Sequence, residues 1–247
     1  FVASTGNEKV LIEKNKDRQL PIASITKLIV ALIASERYKS DDVISISENS
    51  LKDKGLSGIY KTGDRLLFSD ALRALLLASH NEIASAMAEQ VGADEFRNVM
   101  NQRARAMGLS STAFVNVTGL DSTIGSEQIN HSTVFDTYKL ARYVQENRPD
   151  LFSITTRKEF NLFDADGNFI ATINNTDKLL GQQNIPFHIL GSKTGETPRA
   201  KQNLVIVSDS PCGGKIFSII LGSQNSFEDM QKLLWYVHDS YEWSCPL

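Results

Sequence analysis

The sequence contains few cysteines and no cluster of metal-binding residue types. Cys212 and Cys245 are the only cysteines among 247 residues, which argues against a disulfide-rich scaffold. The four histidines lie far apart in the sequence and give no zinc-ligand spacing with the cysteines. We therefore predict no metal and no cofactor. The two cysteines are compatible with one disulfide or with two free thiols, and the sequence leaves both open.

The chain also lacks the charge runs and long apolar segments of other protein classes. Its formal net charge is −3, and no Lys/Arg run is long enough to follow a phosphate backbone. Nucleic acid is therefore not a predicted partner. The longest apolar stretches, such as residues 28–34, fall well short of the roughly 20 residues that cross a bilayer. A composition with 41% hydrophobic and 22% charged residues is that of an ordinary globular protein.

Strand-like segments occur at both ends of the sequence, and helical patterns lie between them. A hairpin is predicted at residues 1–4 and 9–13, around a turn at 5–7. Three further strands, expected as an antiparallel meander, are predicted at 187–190, 203–207 and 215–221. Helices are predicted from residue 24, at 69–90 with Ser69 as N-cap, at 94–107, from about residue 132, and at 226–243.

This arrangement predicts an α/β (α+β) fold with one antiparallel β-sheet built from both chain ends and flanked by helices. We expect a single domain over residues 1–247. An all-helical subdomain is predicted as an insertion at about 40–130. Residues 1–39 and 131–247 would form the sheet subdomain.

The first candidate motif, Ser24-Ile25-Thr26-Lys27, places a hydroxyl and an amine one helical turn apart. Ser24 falls in the first turn of a predicted helix, where unpaired N–H groups and the helix dipole favour a developing oxyanion. To act as a base, Lys27 needs its pKa lowered from about 10.4 by roughly 3 units. Burial and a second cation, for which Lys193 is the candidate, both act in that direction. The alternative is an N-capping serine followed by a surface lysine.

The second motif, Ser79-His80-Asn81, interrupts the apolar run formed by residues 75–78 and 83–84. Polar residues inside a buried run need partners or a function. We expect the Ser79 hydroxyl to relay a proton to a leaving group and the Asn81 amide to hold the substrate backbone. The alternative is a polar corner between two helices. Two further Ser-x-Asn copies, at 47–49 and 223–225, have the context of a charged surface segment and of a turn before a helix.

The third motif, Lys193-Thr194-Gly195, extends the strand predicted from residue 187. Strand alternation places Lys193, Gly195 and Thr197 on one face, with Thr194 and Glu196 on the other. Glycine lets a substrate backbone approach the strand closely. A second Lys-Thr-Gly copy at 61–63 has the context of a surface turn.

These strand residues have distinct expected roles in an acyl-transfer site. Lys193 supplies positive charge, and the hydroxyl of Thr194 or Thr197 would bind a carboxylate. The backbone N–H of Glu196 is a candidate second oxyanion donor beside that of Ser24, and each such donor is worth about 2.7–4 kcal/mol.

The three motifs, in this order, resemble those of the penicillin-binding proteins and the class A β-lactamases. Residues 13–24 and the stretch from Met107-Gly108-Leu109 through residues 114–121 are similar to the low-molecular-mass penicillin-binding proteins, the serine-type D-alanyl-D-alanine carboxypeptidase family. The resemblance covers nearly the whole chain. It implies a β-lactamase/transpeptidase-like fold.

The resemblance also implies a reaction and a cellular location. Ser24 would attack the bond between the two terminal D-alanines of a peptidoglycan stem peptide, with Lys27 as base, Ser79 as proton relay and water releasing the acyl-enzyme. β-Lactam antibiotics would acylate Ser24 as covalent inhibitors. The family works outside the cytoplasmic membrane, in the periplasm or at the bacterial cell surface. We therefore expect export, and membrane association through a segment absent from this sequence.

The sequence departs from the family pattern at several points. His80 and Lys201 stand where the family usually has small residues, and no β-rich second domain follows the last predicted helix. A class A β-lactamase would carry a Glu-x-x-Leu-Asn element, but residues 127–130 have the wrong spacing, so we expect slow β-lactam turnover. Two alternatives stay open: a DD-endopeptidase that cuts peptidoglycan cross-links, and a non-catalytic penicillin-sensing module.

Overall fold

The computed structural model describes residues 1–53, 58–121 and 128–243. The described residues form eleven strands: β1 (Val2–Thr5), β2 (Val10–Glu13), β3 (Leu20–Pro21), β4 (Val43–Ser45), β5 (Arg65–Leu67), β6 (His131–Ser132), β7 (Glu159–Phe163), β8 (Phe169–Asn174), β9 (Ile189–Thr197), β10 (Lys201–Asp209) and β11 (Lys215–Ser223). They also form seven α-helices: α1 (Lys27–Arg37), α2 (Phe68–Leu77), α3 (Asn81–Glu89), α4 (Ala93–Ala106), α5 (Val134–Asn147), α6 (Pro149–Ile154) and α7 (Ser226–Ser240).

The main sheet joins the two ends of the chain, as the sequence predicts. Its five antiparallel strands lie in the order β2-β1-β11-β10-β9. Val2 in β1 pairs with Ile219 in β11, so the first of the described strands is hydrogen-bonded to the last one. The order leaves β9, which carries the third motif, at one edge of the sheet. The predicted α/β class with an antiparallel sheet is confirmed.

Helices cover both faces of this sheet, which explains why the central segment of β10, residues 204–207, is apolar without alternation. Leu204 and Ile206 of β10 pack with α7, whereas Val205 and Val207 belong to the core on the opposite face. A strand that is buried on both sides shows a continuous apolar run and no alternation. Helix α1 is likewise buried on nearly all sides, from Leu28 to Ala34, and lies at the centre of the larger core.

One long helix predicted at 69–90 is in fact two helices, α2 and α3. The break falls at Ala78-Ser79-His80, and Ser79 has a φ of 63°. This left-handed conformation cannot continue a right-handed helix. The predicted N-cap was also wrong, because Leu67 holds that position and Ser69 lies inside the helix.

Other predicted boundaries are close to the observed ones. The helix predicted at 94–107 spans Ala93–Ala106 and is followed by Gly108 with a φ of 69°. The last helix ends at Ser240, three residues earlier than predicted. The β7–β8 hairpin and α6 were not predicted. The division into a helical and a sheet subdomain stays a prediction. Cys212 is not a free thiol, and Cys245 lies outside the described residues.

Candidate active site

The candidate nucleophile lies in a tight turn pressed against a neighbouring loop. Ser24 belongs to a 3₁₀ turn, Ala23–Thr26, that runs directly into α1. Ala23 has a φ of 47°. Gly119, with a φ of 83°, packs so closely that a Cβ atom there would lie 2.0 Å from the Ala23 carbonyl oxygen. Only glycine fits this approach, so the loop at 114–121 holds the nucleophile turn in place.

The Lys27 amine is fully buried among three oxygen atoms. Its side chain is 0% exposed, and its Nζ lies 2.8 Å from Ser24 Oγ. The same nitrogen donates to Asn81 Oδ1 at 2.6 Å and to the Thr118 carbonyl oxygen at 2.8 Å. Burial, followed by the positive charge of Lys193, holds the pKa of Lys27 well below its ordinary value. A neutral amine keeps two N–H groups for Asn81 and Thr118 and turns its lone pair to the Ser24 hydroxyl.

A buried asparagine connects the loop at 114–121, which contains Thr118, to the nucleophile turn. The Asn130 Oδ1 atom accepts the backbone N–H groups of Val115 and Asn116 at 2.7 and 3.0 Å, and its Nδ2 atom donates to Thr26 Oγ1 at 2.9 Å. Asn130 thus ties the loop at 114–121 to the nucleophile turn. Neither role is visible in the sequence: Asn130 belongs to none of the three motifs, and a backbone acceptor such as the Thr118 carbonyl can be supplied by any residue type.

The second and third motifs meet through a lysine–serine hydrogen bond. The Lys193 side chain is 1% exposed, and its Nζ donates to Ser79 Oγ at 2.9 Å and to the Thr194 carbonyl oxygen at 3.0 Å. Burial lowers the pKa of Lys193 to about 7. The structure therefore brings Ser24, Lys27, Ser79, Asn81 and Lys193 together at one site.

Strand β9 packs directly against the nucleophile turn at Gly195. A Cβ atom on Gly195 would lie 2.9 Å from the Ile22 carbonyl oxygen and 3.0 Å from the Ser24 backbone nitrogen. Real Cβ contacts are rarely so short, and the glycine therefore sets the separation between β9 and Ser24. Glu196 follows it with an exposed side chain at the cleft.

The two threonines of β9 have different surroundings. Thr194 Oγ1 lies 2.6 Å from Thr176 Oγ1, and the Thr176 backbone N–H donates to the Leu77 carbonyl oxygen at 3.1 Å. Thr176 thus bridges β9 to the end of α2, and nothing in the sequence marks it. Thr197 Oγ1 instead donates to Asp121 Oδ1 at 2.8 Å. Thr194 lines the cleft, whereas Thr197 is not among its lining residues.

The middle residue of the second motif is held by a tyrosine. His80 is 9% exposed, and its Nδ1 atom lies 2.7 Å from the Tyr60 hydroxyl. Burial lowers the pKa of His80 to about 4, so the imidazole is neutral near pH 7. The bulky imidazole is thus accommodated by an aromatic partner, with the Tyr60 and His80 rings meeting edge to face at 5.4 Å between centroids.

The site opens into a cleft of about 780 Å³. Its lining includes Ser24, Asn81 and residues 194–196, together with residues 171–174 of β8, Ile59 and His80. Among the described ranges, no group of three or more His, Cys, Asp or Glu side chains is placed to hold a metal ion.

The additional motif copies lie in structural turns. Gly63 of the earlier Lys-Thr-Gly copy has a φ of 92°, and the Asp64 backbone N–H donates to the Lys61 carbonyl oxygen. Asn225 of the last Ser-x-Asn copy caps α7 by accepting the Glu228 backbone N–H. Both copies have the roles that their sequence context predicts.

Comparisons with known proteins agree with this geometry. A family model described as D-alanyl-D-alanine carboxypeptidase matches residues 2–225. The D-alanyl-D-alanine carboxypeptidases DacC of Escherichia coli and DacF of Bacillus subtilis are 28% and 27% identical to this chain, over 97% and 95% of it. The chain spans 60% of the length of each. A D-alanyl-D-alanine endopeptidase of Pseudomonas aeruginosa is 30% identical over 94% of this chain and 74% of its own length.

Solved structures share the fold. The D-alanyl-D-alanine carboxypeptidase DacD of Francisella tularensis superposes with a TM-score of 0.83 at 24% identity, covering 95% of this chain and 68% of that one. Penicillin-binding protein D2 of Listeria monocytogenes, crystallised in its ampicillin-bound form, gives 0.82 at 24% identity over 96% and 94% of the two chains. At this level of identity the match shows a common architecture.

Proposed function

Since the chain belongs to the D-alanyl-D-alanine carboxypeptidase family, we propose that it is a serine DD-peptidase that removes the terminal D-alanine from peptidoglycan stem peptides. The observation that carries this proposal is the Lys27 amine, buried and within 2.8 Å of Ser24 Oγ. A base of lowered pKa beside a hydroxyl is the arrangement that nucleophilic acyl transfer needs.

Acylation begins when Ser24 Oγ attacks the carbonyl carbon of the penultimate D-alanine and gives its proton to Lys27. The backbone N–H groups of Ser24 and Glu196 would bind the oxyanion. The C–N bond then breaks, and Ser79 passes a proton to the leaving nitrogen. The buried Lys193 at 2.9 Å supports this by stabilising negative charge on the Ser79 oxygen.

Substrate binding would use the groups that still face the cleft. Because Asn81 Oδ1 accepts a hydrogen bond from Lys27, the Asn81 Nδ2 group is turned to donate to a substrate carbonyl. Gly195 allows the peptide to approach β9. The position of Thr194 favours it over Thr197 as the hydroxyl that binds the substrate carboxylate, because Thr194 lines the cleft whereas the Thr197 hydroxyl is turned to Asp121.

Deacylation by water completes the reaction, and β-lactams would follow the same path more slowly. They resemble the D-alanyl-D-alanine end and would acylate Ser24 as covalent inhibitors. The segment at 127–130 does not supply the β-lactamase element: Asn130 is buried in a structural role, and Glu127 lies outside the described residues. We expect far less than one β-lactam turnover per second.

The proposed substrate places the enzyme outside the cytoplasmic membrane of a bacterium. We propose that it works in the periplasm or at the cell surface, and that it is held at the membrane by a segment outside this sequence. None of the helices in the described ranges is long and apolar enough to cross a bilayer.

The test is labelling with fluorescent penicillin together with D-alanine release from a diacylated peptide ending in D-Ala-D-Ala. The wild-type protein should do both, and Ser24→Ala should do neither. Ser110→Ala, at an exposed position, should match the wild type and serves as control. Labelling without D-alanine release would reject the proposal in favour of a penicillin-sensing module.

A further inference from the structure

We propose that Lys178 determines the preference of this site for substrates that end in a free α-carboxylate. Its ammonium group would pair with the carboxylate of the leaving D-alanine, beside the hydroxyls of Thr176 and Thr194. The lysine lies outside all three sequence motifs. This inference rests on the proposed DD-peptidase function and adds to it the residue that recognises the charge at the end of the substrate.

A terminal carboxylate brings a negative charge into a cleft that two acidic residues, Glu82 and Glu196, already line. Taking a carboxylate out of water is costly unless a cation and hydrogen bonds replace the water. The Lys193 amine is occupied by Ser79 Oγ and the Thr194 carbonyl oxygen. Because burial lowers the pKa of Lys193 to about 7, this amine is only partly charged near neutral pH. The carboxylate therefore needs a second cation.

Lys178 is in the right place to supply that charge. Among the residues in the described ranges that line the cleft, it is the one lysine or arginine. It follows Thr176 by two residues, and Thr176 Oγ1 lies 2.6 Å from Thr194 Oγ1. Two residues of chain extend at most about 7 Å. The exposed lysine, with its flexible four-carbon stem, can therefore bring its ammonium to this pair of hydroxyls.

An aromatic ring holds the Lys178 ammonium at the cleft. Its Nζ atom lies 5.6 Å from the centroid of the Phe227 ring, and Phe227 also lines the cleft. A cation–π contact attracts the ammonium to the ring face without neutralising it. The charge thus stays at the cleft and is kept for an anionic ligand.

The backbone around Lys178 is fixed by side chains. The Asp177 backbone N–H donates to Asn175 Oδ1, and Asp177 Oδ1 accepts the Leu179 N–H, both at 2.8 Å. Gln182 Nε2 donates to the Lys178 carbonyl oxygen at 2.6 Å. Because the main chain is already ordered, less conformational entropy is lost when a ligand binds here.

The two threonines provide a hydrogen bond that is independent of the charge. One hydroxyl of the Thr176–Thr194 pair donates to the other, so the pair keeps one O–H for an oxygen of the ligand. Both residues line the cleft. A carboxylate would accept this hydroxyl and the Lys178 ammonium, and charge-assisted bonds are the stronger kind. An amide in its place would keep the hydroxyl bond and lose the ion pair.

The experiment uses two diacylated peptides that differ only in their last group, a D-Ala-D-Ala carboxylate and the corresponding D-Ala-D-alaninamide. The readout is kcat/KM for release of the last residue, and the wild-type protein should prefer the carboxylate. Lys178→Met should lower kcat/KM about tenfold on the carboxylate peptide, the size expected for a hydrogen bond to a charged group, and less than about twofold on the amide. Lys178→Arg keeps the charge and should stay within about threefold of the wild type on both.

The matched control is Lys158→Met. Lys158 is also an exposed lysine but is not among the residues that line the cleft, so both rates should be unchanged. Ionic strength gives a further readout that a structural role would not move. Added salt should slow the wild type on the carboxylate peptide more than it slows Lys178→Met, because charge pairs near the surface are screened.

Several outcomes would overturn the inference while the proposed function stands. They are equal wild-type rates on both peptides, an unchanged rate of Lys178→Met on the carboxylate peptide, and an equal loss on both. If the amide is cleaved too slowly to measure, Lys178→Arg decides: a rate restored to that of the wild type supports the inference, and a rate as low as that of Lys178→Met contradicts it. A wild-type protein that cleaves neither peptide and is not labelled by penicillin would remove the proposed function, and this inference with it.

Discussion

At the scale of single residues, the site depends on Lys27, whose charged form is destabilised by burial. The three hydrogen-bonding partners of the Lys27 amine are a hydroxyl, an amide oxygen and a peptide carbonyl, all of them uncharged. Desolvation favours the neutral amine and outweighs the opposite effect of Glu82 and Asp53. Burial in α1 thus prepares Lys27 for the proposed role of base, and the adjacent Lys193 reinforces the effect.

A substitution at Thr176 tests whether the contact between the third motif and the end of α2 matters for activity. Its hydroxyl contacts Thr194, and its backbone binds the end of α2. We expect Thr176→Val to lower D-alanine release about tenfold, because Thr194 loses its partner while the backbone contact persists. Thr176→Ser should retain activity within about threefold.

The measurement for Thr176 is steady-state kinetics on the linear substrate, accompanied by thermal unfolding. If Thr176 had a purely structural role, the valine variant would have a lower melting temperature, and kcat and KM would not change selectively. A change mainly in KM, rescued by serine, supports a role in placing the carboxylate-binding hydroxyl. Equal activity of the two variants would contradict it.

The sequence predicts five of the residues that converge, because each belongs to a short motif with its own residue types. Thr176, Asn130 and Tyr60 could not be found in this way. They are separated from the motifs in sequence and become partners only through the tertiary fold. The Thr118 carbonyl could not be predicted for a different reason, because every residue type supplies a backbone oxygen.

At the scale of secondary structure, Gly195 near the end of β9 sets the distance between this strand and the nucleophile turn. A Cβ atom at Gly195 would meet the Ile22 carbonyl oxygen and the Ser24 nitrogen at about 3 Å. We expect Gly195→Ala to push β9 away from the nucleophile turn and to slow penicillin acylation at least 100-fold. Overpacking of this kind typically costs about 1–3 kcal/mol of stability, so the protein should still fold.

The control for Gly195 is Gly6→Ala. A Cβ atom there would meet only Phe217, at an ordinary 3.9 Å. Acylation by fluorescent penicillin, followed in time, compares the two variants with the wild type. Normal acylation by Gly195→Ala would show that the strand can shift without consequence for Ser24.

Local sequence patterns identify the long elements better than the irregular ones. The continuous helix predicted at 69–90 is wrong because the apolar pattern resumes at residues 83–84 after the motif, and the left-handed backbone of Ser79 leaves no mark in that pattern. The β7–β8 hairpin was within reach of sequence reasoning, since Asp166-Gly167 between two alternating segments is a typical hairpin turn.

At the scale of the whole molecule, the buried lysines should reduce stability at neutral and acidic pH. Lys193 has a folded-state pKa of about 7 against an ordinary value of 10.5. Between these values the unfolded chain binds more protons than the folded one, so stability rises with pH. Below about pH 7 the destabilisation is fully present.

Lys193→Met removes this charge with a side chain of similar length. We expect the variant to unfold at higher urea concentration than the wild type at pH 6, with the difference shrinking towards pH 10. At pH 6 the difference in free energy of unfolding between the variant and the wild type should be a few kcal/mol, because one pKa unit corresponds to about 1.4 kcal/mol. Lys9→Met, at an exposed lysine, should show no such dependence. A difference that is constant from pH 6 to 10 would refute the assignment.

The pairing of β1 with β11 has a consequence for how the protein is made. Val2 and Ile219 are neighbours in the sheet although almost the whole chain separates them. Contacts of such long sequence separation form slowly, because a large loop must close before they contribute. Ser24 is therefore synthesised early, but its surroundings are complete only after β9 has been made and Gly195 packs against the nucleophile turn. A partly synthesised chain therefore contains the proposed nucleophile but not β9, and we expect it to be inactive.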